Sequence, residues 1–383
     1  MFIKKKILFI FGTRPEAIKL APLYWEFKKY YQIFETKVCI TAQHRQMLDQ
    51  VLNFFQIKPD YDLNVMKENQ SLSELTANCI IKIEKILNTY KPDLILLQGD
   101  TTTALAGALA GFYQKIKIAH IEAGLRSFDK YSPFPEEINR VIISHLADYH
   151  FAPTKEAKKN LIKENIKKNI WVVGNTVIDA LFLGLNKIEN NSNLKTRIEN
   201  YFLSLGLNFN SSNKIIVVTS HRRESFGEDL QNICEAIKEI SLKYKNTKII
   251  YPVHLNPNVK KTVYEFLKGL DNVILTEPLE YPYFIYLVSK SYLILTDSGG
   301  IQEEVPSLKK PLLVMRRVTE RKEGIEAGTS ILVGTSSDNI IEKVSILLEN
   351  PEEYNKFKFH INPYGDGKAS KRIVKILEKI YSE

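Results

Sequence analysis

The sequence predicts an α/β protein of two doubly wound parallel-sheet domains facing across a cleft. Three observations carry this: a length of 383 residues, short unbroken apolar runs, and helical periodicity after nearly every run. A chain of that length exceeds one ordinary core, so two domains is the expected count. Strands buried on both faces read as continuous apolar runs. Alternating with helices, such runs mean parallel sheets covered on both sides.

In the first series "KILFIF" leads into "RPEAIKLAPLYWEFKKY", "KVCIT" into "QHRQMLDQVLNFF" and "DLILLQ" into "TTTALAGALAGFYQ"; "KIAHIE" and "YHFAPT" follow. After the polar stretch "IENNSNLKTRIENYFLSLGLNFNSSN" comes a second series: "KIIVVTS", "KIIYPV", "NVILT", "YLILT", "PLLVM" and "SILVG". The expected division is 1–175 and 176–366, with a last segment over 367–383.

A composition of 44% hydrophobic, 25% charged and 10% aromatic residues is that of a folded globular protein. No apolar run reaches the ~18 residues of a membrane helix, so no membrane partner is expected. The start, "MFIKKKILFIFGTRPEA", lacks a small-residue cleavage site and reads as a first core strand. Cys39, Cys79 and Cys234 are far apart and form neither a disulfide framework nor a zinc pattern, which makes the cytoplasm the expected compartment. The net charge is +9, but the lysines lie among glutamates, as in "KEAKKNLIKENIKKN". That is a solvated helix face rather than a nucleic-acid stripe, and an anionic small molecule fits the surplus instead. There is no G-x-G-x-x-G after the first strand, no P-loop, no H-x-x-x-H and no C-x-x-C. No bound nicotinamide, metal or other cofactor is therefore expected.

In doubly wound sheets ligands bind beyond the carboxyl ends of the strands, so the residues just after each strand are the site candidates. After the first, Thr13 and Glu16 have capping-box spacing with Pro15 between them, and Glu16 reads as a cap. Arg14 is not needed by that cap, and its forked guanidinium suits phosphate. After "DLILLQ", Asp100 either caps the next helix or faces the site. Glu122 closes the strand "KIAHI", where an ionised carboxylate is costly without a partner. "SPFPEEINR" opens a helix with Glu136 and Glu137; acids are favoured in a first turn, so one of the two reads as structural. Arg140, one turn on, is spaced to pair with Glu136.

In the second half His221, Arg222 and Arg223 follow a strand directly, a poor core sequence and a good anion site; His254 is placed likewise. "LILTDSGGIQEE" starts a helix with Gly299 and Gly300, although each glycine costs about 1 kcal/mol there against alanine. Bare backbone N–H groups at a helix start, carrying partial positive charge, explain that choice if a phosphate lies against them. Glu303 and Glu304 come one turn later, where a carboxylate can accept from both ribose hydroxyls.

These stretches, with "TAQHRQMLDQVL", "HIEAGLRS", "GNTVIDAL", "TERKEGIEAGT" and "NPYGDG", occur in an order that resembles the non-hydrolysing UDP-N-acetylglucosamine 2-epimerases nearly end to end. The resemblance implies two Rossmann-like domains of the glycosyltransferase-B type, the first bearing acid–base groups for the sugar and the second binding UDP. It also implies a homodimer, and a helix from Gly367 onward that packs back on the first domain. By the same resemblance, Arg14, His221, Ser298 and Gly299 would hold the diphosphate, Glu304 the ribose and Phe284 the uracil face. Lys19 and Arg321 would line the nucleotide and cleft region, with Arg140, Arg222, His254 and Gly300 completing the substrate set. Asp100, Glu122 and Glu136 would surround the sugar as acid–base candidates, with His221 beside them. Gln43 and Gln46 match a second, regulatory substrate site of some bacterial members. Two departures stand out. Asn69 replaces an arginine of some members, which weakens the case for activation by a second substrate molecule. Arg317-Val318 replaces a common acidic residue and threonine.

The implied reaction interconverts UDP-N-acetylglucosamine and UDP-N-acetylmannosamine, feeding surface polysaccharide synthesis. The hydrogen at carbon 2 is not next to a carbonyl, so direct deprotonation is difficult. Anti elimination of UDP to 2-acetamidoglucal, followed by re-addition, requires a firm diphosphate site and an acid and a base on different faces. Asp100 and Glu136 are the expected exchanging pair, oriented by Glu122. Closure of the domains is expected to retain the intermediate; identical scattering profiles with and without UDP-sugar would count against it. Three rivals remain: an epimerase for a related UDP-2-acetamido sugar (uronate or 6-deoxy), a glycosyltransferase of the same fold, and a UDP-sugar-binding regulator without catalysis.

Overall fold

The first strand, β1 (Lys5–Phe11), is buried along its last five residues. In the computed structural model, which describes residues 3–42, 45–67, 70–220 and 227–382, both faces of this strand are covered. Leu8 and Ile10 join an apolar cluster with Leu75, Cys79 and Ile83 of the helix Leu72–Tyr90 and the alanines of the helix Thr102–Tyr113. Phe9 points the other way, edge-on to Phe27 of the helix Arg14–Lys29. Period-2 alternation between two apolar layers is why the strand reads as an unbroken run. Each such side chain contributes about 1.5–3 kcal/mol on full burial.

Six further strands complete this sheet: β2 (Phe34–Ile40), β3 (Tyr61–Asp62), β4 (Leu94–Gln98), β5 (Lys117–Ile121), β6 (Tyr149–Ala152) and β7 (Ile170–Val172). All pairs are parallel, in the order β3-β2-β1-β4-β5-β6-β7. A second sheet contains β8 (Lys214–Thr219), β9 (Thr247–Pro252), β10 (Val273–Thr276), β11 (Leu293–Thr296), β12 (Leu312–Val314) and β13 (Ile331–Leu332). It is also wholly parallel, in the order β10-β9-β8-β11-β12-β13. Each sheet therefore reverses direction of growth beside its first strand, between β1 and β4 and between β8 and β11. Those are the switch points where such folds bind ligands.

The chain divides into two compact units, Met1–Leu183 with Tyr364–Glu383, and Gly184–Pro363. The polar stretch after residue 188 is largely helical. Asn191 caps the helix Ser192–Ser204 by accepting from Leu194 N, and Ile198 and Phe202 are buried. The last helix, Ala369–Ser382, packs on Arg14–Lys29 within the first unit. Its start is capped at a distance by Asp179, whose carboxylate accepts from Ala369 N (3.2 Å) and Ser370 N (2.7 Å).

Candidate active site

In the first unit the groups at the switch point are tied together from the cap outward. Glu16 is the predicted cap: its buried carboxylate accepts from Gly12 N (3.0 Å) and Thr13 N (2.8 Å). It also accepts from Thr101 Oγ1 (2.7 Å), which fastens the turn after β1 to the turn after β4. Burial pushes this carboxyl above its ordinary range, and the hydrogen bonds oppose the shift. Gly12 is dictated by packing, since a Cβ there would lie 2.0 Å from Thr41 Oγ1. Arg14 is half-buried, desolvation lowers its pKa, and among the described residues no acid pairs with its guanidinium. A partly dehydrated cation at a sheet's carboxyl edge is suited to an anionic partner.

Asp100 is not the helix cap. Thr101 has that position, and its Oγ1 accepts from Ala104 N at 3.0 Å. Instead the Asp100 carboxylate pairs with Arg140, and its main-chain carbonyl accepts from Asn139 Nδ2 at 2.9 Å. Burial pushes Asp100 upward, and the Arg140 charge pulls it back. His120 steadies the same turn, with Nε2 2.8 Å from the Gly99 carbonyl. Burial lowers this histidine to about 3, so the ring is neutral; a carbonyl only accepts, so Nε2 carries the proton.

The helix Glu136–Leu146 corrects one expectation. Arg140 pairs with Asp100 and, at 3.3 Å, with Glu137, not with Glu136. Glu137 is the structural acid of the pair: buried, it accepts from Ser127 N and Phe128 N, each at 3.0 Å. Glu136 sits half-buried at the helix start. Glu122 follows β5 at φ +65°, a left-handed conformation that turns a buried carboxylate toward the helix Arg14–Lys29. There it meets Lys19, 2.7 Å from both of its oxygens, as well as Gln98 Nε2 and Asn175 Nδ2 (2.9 Å). The sequence reading did not single out Gln98, Asn139, His120 or Asn175.

In the second unit the equivalent groups follow β8 and β11. Ser220 Oγ donates to the buried Asp297 at 3.0 Å; His221 and Arg222, like Arg223, lie outside the described residues. Ser298 N donates to Thr296 Oγ1 (3.0 Å), and its side chain makes no cap bond to the helix Gly299–Glu304. Among the described residues a Cβ on Gly300 would meet only Glu304 Oε1, at an ordinary 3.8 Å, so packing by those residues does not require glycine there. Buried Glu303 accepts from Arg321 Nε at 2.6 Å, and Glu304 is half-buried beside it. Phe284 is half-buried on the helix Tyr281–Lys290. His254 is exposed, with Nδ1 accepting from Asn256 N at 3.2 Å. Arg317 pairs with Asp229 at 2.8 Å. Gln46 is exposed in the first turn of the helix Arg45–Phe55, while Gln43 and Asn69 lie outside the described residues.

Carboxylates matched with cations at the carboxyl edge of a doubly wound sheet are the equipment of an α/β enzyme with acid–base chemistry. The glycosyltransferase SnogD of Streptomyces nogalater shares the two-domain fold, with a TM-score of 0.59 over 98% of this chain and 99% of its own; at 11% identity the likeness concerns fold alone. A family model for UDP-N-acetylglucosamine 2-epimerase matches residues 28–378. The enzyme of that name from Campylobacter jejuni is 53% identical over 378 residues, 98% of each chain. The crystal structure of the Neisseria meningitidis UDP-GlcNAc 2-epimerase bound to UDP-GlcNAc is 52% identical, with a TM-score of 0.88 over 98% of this chain and 100% of that one. The chain belongs to the UDP-N-acetylglucosamine 2-epimerase family and is an isomerase. Among the described residues no helix is long and apolar enough to cross a membrane.

Proposed function

We propose that this protein interconverts UDP-N-acetylglucosamine and UDP-N-acetylmannosamine by anti elimination and re-addition of UDP. The observation that carries the reading is the switch point of the first unit, where Asp100 and Glu122 each face a cation and the desolvated guanidinium of Arg14, which follows β1, pairs with no acid among the described residues. A base takes the proton from carbon 2. The bond from carbon 1 to the β-phosphate oxygen breaks with its electron pair on oxygen, leaving a carbon 1–carbon 2 double bond. For return, a proton arrives on the opposite face of carbon 2 and the phosphate oxygen attacks carbon 1. No electrons are gained or lost. Asp100 and Glu136 are the exchanging pair in this reading. Arg14, Ser298 and Gly299, together with His221, take the diphosphate charge, Glu304 the ribose and Phe284 the uracil. Relatives at about half identity, one of them crystallised with UDP-GlcNAc, support the substrate.

A homodimer belongs to the same proposal. Ile81, Phe112, Tyr113, Ile138 and Ile142 are exposed on three neighbouring helices of the first unit, an apolar surface suited to a second copy. Proton NMR of the purified protein with UDP-N-acetylglucosamine in heavy water tests the chemistry. Deuterium at carbon 2 of both hexosamines, without an acceptor, is the expected result. Absence of deuterium in both, or a stoichiometric nicotinamide in the purified enzyme, would overturn it.

A further inference from the structure

Glu122 is held more completely than a buried ion pair requires. Oε1 accepts from Lys19 Nζ at 2.7 Å and Asn175 Nδ2 at 2.9 Å; Oε2 accepts from Lys19 Nζ at 2.7 Å and from Gln98 Nε2. An ionised carboxylate offers about four lone-pair positions, and these contacts occupy them. A proton on Glu122 would have to displace one of the donors.

Asn175 is itself fixed on two sides. Its Oδ1 accepts from Val177 N at 3.0 Å, which settles the amide orientation and leaves Nδ2 toward Glu122. Its own N donates to the Tyr364 carbonyl at 2.7 Å. The residue before it, Gly174, lies against Gly365, where an added Cβ would come within 3.3 Å of the Gly365 Cα. Two chain segments almost two hundred positions apart thus meet at the residue that grips Glu122.

We propose that Asn175 is a positioning residue of the epimerisation. Fastened to Val177 and Tyr364, it directs its amide onto Glu122. With Gln98 and Lys19 it keeps that carboxylate an anion that anchors the Lys19 ammonium rather than exchanging the substrate's proton. This rests on the reaction proposed above and leaves proton exchange to Asp100 and Glu136. Among the described residues, the charged and titratable groups facing Glu122 include Lys19 from the helix Arg14–Lys29, Asp100 from the turn after β4 and His120 from its own strand.

The test uses full-length protein labelled with carbon-13 at glutamate carboxyls, the Glu122 signal being identified by its loss in Glu122→Gln. In Asn175→Ala the Glu122 titration should move up by about one pH unit. Deuterium incorporation at carbon 2 should fall about tenfold, its acid limb displaced upward, with UDP affinity within twofold of wild type. In Asn175→Asp a second carboxylate beside Glu122 should move the titration further up. An unchanged Glu122 titration in Asn175→Ala overturns the proposal, whatever happens to turnover. If that variant does not fold, Gln98→Ala, which removes another of the donors, is read the same way. A wild-type enzyme that places no deuterium at carbon 2 sinks the epimerase reading, while the titration, which needs no substrate, still decides whether Asn175 governs Glu122.

Discussion

Arg140 is paired with Asp100, forty positions earlier in the chain, and not with Glu136 one turn before it. A cation drawn from another element opposes the rise in pKa that burial imposes on this half-buried carboxylate. In Arg140→Ala the burial of Asp100 goes unopposed by that charge and its pKa rises further. The acid limb of kcat/KM should move to higher pH and turnover at neutral pH should fall about 10²-fold, with UDP affinity retained. An unchanged pH profile would refute the role of the pair.

Glu136 and Glu137 are adjacent in sequence and opposite in expected behaviour. Glu137 holds Ser127 N and Phe128 N, so Glu137→Gln turns one buried acceptor into a donor facing N–H groups and should lower Tm by several degrees. Glu136→Gln should leave Tm alone and abolish deuterium exchange at carbon 2. Thermal melts alongside NMR separate the two; a stable, active Glu136→Gln would remove it from the exchanging pair.

For the glycines, stability and affinity should move in opposite directions. Among the described residues Gly300→Ala meets only an ordinary contact, and it improves helix propensity by about 1 kcal/mol, so Tm should hold or rise. UDP affinity should nevertheless fall at least about tenfold if a phosphate lies against that backbone. Gly299→Val should weaken UDP more strongly. Calorimetric titration with UDP decides, and equal affinity in both variants would refute the phosphate reading.

Acid should destabilise the first unit through two histidines. Burial holds His120 at about 3 and His150 at about 4, whereas an unfolded histidine takes up its proton near 6.5. Their folded values are depressed, so their contribution is fully present above about pH 6.5 and is lost as pH falls toward about 3–4. His120→Gln, whose amide can still donate to the Gly99 carbonyl, should flatten the fall in Tm between pH 7 and 5. An equally steep fall in that variant would assign the acid sensitivity elsewhere.

What was legible in the sequence was local or repetitive. β1 and β4 declare themselves because both of their faces are buried, and Glu16 because a cap lies within four residues of its partners. β3 and β7 are two- and three-residue edge strands, too short to carry a pattern. The stretch after residue 188 reads only as polar because Ile198 and Phe202 alone are buried on the helix Ser192–Ser204. Strand ends pointed to Asp100 and Glu122, but not to what surrounds them. Helix spacing cannot reveal that Arg140 turns to a residue forty positions away. Nor does a lone amide such as Gln98 or Asn175 look functional until the fold brings it to a carboxylate.

The first unit is interrupted in sequence, whereas Gly184–Pro363 is one uninterrupted stretch. During synthesis, then, the second unit has its whole complement of residues while the first still lacks Tyr364 and the closing helix Ala369–Ser382. The brace behind Asn175 is therefore completed last: the Asn175–Tyr364 bond cannot form until that segment has left the exit tunnel. A shortened tail would therefore injure the first unit while sparing the contiguous one.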